Sequence, residues 1–138
     1  SPGCWEIFGE VLAREYGEYH YPAVHRLTVD AYSAQHPGTP SRKSIQSVAV
    51  HLLGLYLTLE CGYDAPSTTR KMAVLVKEPG KFVWLDPPRS PGEITVLDVV
   101  KAQSLREHET SVKDWARAVW TAWSPHHPTI RLWAGRLR

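Results

Sequence analysis

Apolar positions along the chain recur mostly at helical spacing. Trp5, Phe8, Leu12 and Tyr16 fall on one side of a first helix that Gly17 ends. Pro22 suits the first turn of a second, and Pro37-Gly38 closes it. Ser41 can cap a third, which runs to about Cys61 with Gly62 behind it. From Val48 to Leu59 that helix is apolar on most sides, so it is expected at the centre. Asp64 and Pro66 open a shorter helix that continues to about Val76.

The pattern then breaks. "KEPGKFVWLDPPRSPGE" holds four prolines and two glycines and reads as a loop, with Phe82 to Leu85 as a short extended piece. Thr95 and Asp98 have capping-box spacing with Asp in place of Glu, and Ser104 and Glu107 have it in full. A long helix follows from about Leu105 to Trp123, and Ser124-Pro125 stops it. "TIRLWAGRL" makes one last short helix. The pattern predicts an all-α fold: residues 1–138 as a single compact bundle of five or six helices, with one Pro-rich loop laid across it.

Composition changes this picture little. A chain of 138 residues fits one core, and 43% hydrophobic residues are enough to build it. The net charge of +2 is too mild to imply nucleic acid, although the stretch from Lys101 on carries seven basic against three acidic residues. No apolar run reaches the ~18 residues of a membrane span. Two cysteines, Cys4 and Cys61, make neither a disulfide framework nor a C-x-x-C pair, so free thiols in a reducing cytoplasm are expected. No secretory signal opens the chain, and the start without Met suggests processing or truncation.

Candidate chemistry lies in the polar residues of the helices. On the second helix His25, Val29, Tyr32 and His36 form a stripe beside the core face of Val24, Leu27, Thr28, Ala31 and Gln35, with Asp30 on the other flank. His25 and His36 are ~16 Å apart at 1.5 Å rise, so one metal takes only one of them. His51 lies on the third helix beside Ser47, Gly54 and Thr58, where small residues imply a cavity or a close helix approach. His108 sits on the inward face of the long helix with Val112, Trp115, Val119 and Trp123. Either His25 or His36, together with His51 and His108, would supply the three imidazoles of a divalent metal site, zinc or iron, with Asp30 as ligand or supporting carboxylate. Without a metal, the same residues would line a small-molecule pocket in which Asp30 and Tyr32 act as acid/base or hydrogen-bonding groups. The bland alternative is that they are hydrogen-bonded core histidines.

The tryptophans frame a rival from another class. In a protein-interaction domain they and the Pro-rich loop would bind protein, and the histidines would be structural. Trp115 and Trp123 fit the core. Trp120 lies off that stripe and covers either another helix or a partner chain, so a homodimer is allowed. His126-His127, between prolines, reads as a surface turn. No G-x-S-x-G elbow and no Gly-rich phosphate loop is present.

"SPGCW", "HRLTVDAYSAQHPG", "LLGLYLTLECG" and "VKDWARAVWTAW" together resemble an uncharacterised bacterial family, a domain of unknown function, over nearly the whole chain. The resemblance implies no activity. It implies a small zinc site made by a cysteine pair upstream of the PGCW block with the cysteine matching Cys4. This chain begins at that block, so Cys4 is expected to be a plain thiol. A looser likeness is to metal-dependent bundles of the DinB type, from whose histidine spacing this chain departs.

Overall fold

The computed structural model describes residues 2–77 and 81–135, apart from the side chain of Pro2. Among the described residues all regular structure is helical: α1 (Pro2–Tyr16), α2 (His25–Gln35), α3 (Arg42–Leu59), α4 (Ala65–Leu75), α5 (Val96–Val99), α6 (Leu105–Ala122) and α7 (His127–Gly135), with a 3-10 turn at Ser124–His126 before α7. That makes seven helices where five or six are expected. The addition is α5, a single turn closed by the reciprocal Thr95–Asp98 capping box. At the next helix start Ser104 accepts from the Glu107 amide, but the Glu107 carboxylate bonds the Gln103 amide instead.

α3 is the hub. It packs on α2, α4, α6 and α7, and Leu52, Leu53 and Leu55 are fully buried in it, as its nearly continuous apolar surface requires. α2 lies between α3 and α6, while α5 packs on α1 and α6. α6 is the most strongly amphipathic element and inserts Val112, Trp115, Ala116, Val119 and Trp120 into the core.

Residues 81–94 carry no helix or strand, and residues 78–80 of the expected loop lie outside the described residues. The segment is held by specific bonds. Gln35 donates to the carbonyls of Pro91 and Ile94 and accepts the Trp115 indole N–H at 2.9 Å. His126 donates to the Asp86 carbonyl, and Phe82 meets Trp133 edge-on.

Two helix readings need correction. α1 buries Phe8, Val11 and Glu15, whereas Trp5 and Tyr16 are 65% and 59% exposed. The apolar stripe is rotated because its inner line includes a carboxylate. α2 starts at His25 and not at Pro22. The approach to it turns through His20 and Tyr21, with φ of 51° and 56°, a left-handed pair that non-glycine residues rarely adopt.

Candidate functional site

Two buried carboxylates organise the polar interior. Glu15 reaches the core near the end of α1, with no exposed surface. His25 Nδ1–H donates to its Oε1 at 2.8 Å, while Thr28 Oγ1 and His108 Nε2 both donate to its Oε2 at 2.6 Å. Burial pushes this carboxyl up, but the bonds from His108, Thr28 and His25 outweigh it and hold Glu15 below the ordinary glutamate value. The cluster ties α1, α2 and α6 together, and the Tyr19 ring lies against His108 at 4.8 Å.

The second carboxylate is Asp30, 1% exposed, as its place beside Leu27 predicts. His51 Nδ1–H donates to its Oδ1 at 2.8 Å. Oδ2 lies 3.4 Å from Arg26 Nε, an ion pair without hydrogen-bond geometry, and neither atom has another hydrogen bond. Burial dominates here and raises the Asp30 carboxyl above its ordinary value, against the His51 bond and the Arg26 charge. Gly54 explains how the carboxylate fits. A Cβ on Gly54 would collide with Oδ2 and come within 2.7 Å of Cγ of Asp30. The small residue expected to mark a cavity or a close helix approach makes room for a carboxylate from the neighbouring helix.

A cleft of about 960 Å³ opens beside this pair, between α2, α3, α4 and the turn before α2. Val29, Val50, Met72 and Val76 supply apolar walls, and His25, Arg26, Asp30 and His51 contribute polar lining. Tyr21, 62% exposed, stands at the rim with its ring 4.5 Å from His25.

The sequence candidates therefore separate into three places. His25 and His108 share Glu15, and Asp30 and His51 pair beside the cleft. Tyr32 and His36 stack on each other at 4.1 Å in a separate groove of about 460 Å³ with Trp5, Phe8 and Lys43. His36 Nδ1 donates to the Tyr32 carbonyl, and burial pushes the Tyr32 phenol up, with the Cys4 thiol adding to it. His51 and His108 are not gathered on one centre, since each gives an N–H to a different carboxylate. Among the described residues no group of three or more His, Cys, Asp or Glu side chains is placed to hold a metal ion.

Sequence reasoning missed Glu15 and Arg26. Phe8, Val11 and Glu15 do share helical spacing, so the signal existed, but a carboxylate on an inner face is discounted because lone buried charges are rare. Its partners arrive from distant segments, 93 residues away for His108.

The tryptophans are mostly interior. Trp115, Trp120, Trp123 and Trp133 are at most 6% exposed, and the first three donate their N–H to Gln35, Glu60 and the Ala34 carbonyl. Trp120 thus covers α3. His127 stacks on Trp120 at 3.8 Å instead of standing free in a surface turn. Among the described residues no helix is long and apolar enough to cross a membrane.

The chain belongs to a family of unknown function, DUF5946, whose model matches residues 1–124 and so spans α1 to α6. No curated protein and no solved structure matches it.

Proposed function

We propose that the protein binds a small, largely apolar molecule in the cleft between α2, α3 and α4, with His51 as its main polar contact. The observation that carries this reading is the His51–Asp30 pair set in the lining of a ligand-sized cleft. A buried carboxylate fixes the imidazole ring, so one polar group is held in place among apolar walls. That combination orients a ligand without a large desolvation cost. The interaction-domain rival has less to work with, because four of the six tryptophans are buried and their N–H groups largely used inside the fold.

Anilinonaphthalene sulfonate, a fluorescent apolar probe, tests the reading. Native protein should bind it saturably. Ala73→Trp, at an exposed cleft-lining position of α4, should weaken binding at least ~10-fold, the change from losing roughly 1.4 kcal/mol of contact. Trp5→Ala, in the other groove, should leave it unchanged. Equal binding by native protein and Ala73→Trp would exclude this cleft.

A further inference from the structure

The cleft lining contains an acid–base pair and no activated side-chain nucleophile. Neither serine nor cysteine lines it, and the Thr69 hydroxyl accepts a bond from Arg26 Nη1 at 3.3 Å. His51 gives Nδ1–H to Asp30, which leaves the lone pair on Nε2, and Nε2 has no hydrogen bond among the described residues. The His51 side chain is 21% exposed, so water reaches it, while the Asp30 side chain at 2% is shielded. A shielded carboxylate behind a solvent-reachable imidazole fixes the tautomer and stabilises the imidazolium that forms when Nε2 takes a proton. Arg26, also in the lining, is a permanent cation beside the pair.

Gly54 shows how firmly the pair is placed, and a strained turn shapes the rim beside it. Gly54 leaves the space that the Asp30 carboxylate fills at this helix contact, since a Cβ there collides with it. The consecutive left-handed residues His20 and Tyr21 set the Tyr21 ring at the cleft rim against His25. Backbone strain of this kind persists where surrounding structure over-determines it, and it clusters at ligand clamps and active sites.

We infer that His51 is a general base that activates water to hydrolyse a carboxylic ester whose apolar acyl group occupies the cleft. This rests on the binding site proposed above. The water oxygen bonds to the ester carbonyl carbon as its proton passes to His51 Nε2. Asp30 balances the imidazolium, and Arg26 faces the negative charge on the former carbonyl oxygen. The bond from that carbon to the alcohol oxygen then breaks, and the leaving alkoxide takes the proton from Nε2. Ester and water become carboxylic acid and alcohol, with no covalent enzyme intermediate and no redox change.

The test uses p-nitrophenyl butyrate with the full chain, and melting curves establish that each variant is folded. Native protein should exceed His51→Gln by at least ~10², the lower range for a positioned general base. Asp30→Asn should lower kcat and leave KM for the ester unchanged, because the ring loses the carboxylate that fixes its tautomer while the cleft stays open. A purely structural Asp30 would leave kcat unchanged in a folded variant. Ala73→Trp leaves the pair intact and should abolish hydrolysis by filling the cleft, so the claim stays testable if His51→Gln does not fold. Native hydrolysis no faster than that of folded His51→Gln or of Ala73→Trp overturns the inference, as does a burst of nitrophenol, which signals a covalent intermediate. Probe binding without hydrolysis overturns the activity alone. Absence of both overturns the binding site with it.

Discussion

Glu15 and Asp30 are both buried carboxylates that accept from histidine, yet their surroundings differ. Glu15 has donors on both oxygens, drawn from α2 and α6, and its pKa falls. Asp30 has one donor, an ion pair of poor geometry and a cleft at its side, and its pKa rises. The difference teaches how to separate a structural polar cluster from a site. A satisfied cluster holds its charge below the surface and joins helices. A cluster left incomplete beside open space keeps a group whose charge state responds to what enters.

The contrast breaks most severely at Glu15. Glu15→Ala leaves the buried N–H groups of His25 and His108 without an acceptor, while Thr28 keeps the Val24 carbonyl, so it should cost ~2–6 kcal/mol of unfolding free energy in urea denaturation, from roughly 1–3 kcal/mol per buried unpaired donor. A loss under ~1 kcal/mol would show that the cluster is not what joins α1 to α2 and α6.

A smaller effect is expected at Gly54. Gly54→Ala should push the Asp30 carboxylate away from α3 and release His51. The overpacking cost of ~1–3 kcal/mol is partly offset by the ~1 kcal/mol that alanine gains in a helix. The net loss is therefore less than for Glu15→Ala, and a thermal melt checks it. The His51 ring resonances should shift in the same variant, whereas those of His108 should stay.

The finest distinction is in acid. Glu15 has a lowered folded pKa, so it contributes stability that is present above the unfolded value and lost as pH falls through the folded one. Asp30 has a raised folded pKa, so the native state binds more protons and stability declines as pH rises through its titration. The two slopes oppose each other. Between about pH 3 and 6, Asp30→Asn should therefore steepen the gain of stability with rising pH, and Glu15→Gln should flatten it. Denaturation midpoints at several pH values measure both slopes. Parallel curves for the two variants would erase the distinction drawn here.

Much of the helical framework was legible because it depends on local rules. The caps at Ser41, Asp64, Thr95 and Ser104 lie within three residues of the amides they serve, and α3 and α6 announce their inner faces by spacing alone. The burial of Asp30 also followed from spacing, as did the inward placement of His108. The face of α1 did not, because Glu15 answers to partners on other helices, and neither did the start of α2. Glu15 is drawn inward by His25, Thr28 and His108, and the turn before α2 adopts left-handed angles that no glycine or asparagine advertises.

The sequence by itself determined the α class, most of the helices and the inward placement of Asp30 and His108. Helix periodicity and capping are short-range, and burial on a helix follows from its apolar stripe. Only the tertiary structure decided which histidine meets which carboxylate. Spacing within one helix places a side chain on a face but carries no information about the crossing of two helices. The packing of α2 on α3 put Asp30 in the space left by Gly54 and beside His51, and the packing of α6 against α2 brought His108 within reach of Glu15 on α1. The four candidate histidines, three of which were expected around one centre, are divided among three places: His25 and His108 meet Glu15, His51 meets Asp30 across a helix contact, and His36 bonds the Tyr32 carbonyl of its own helix.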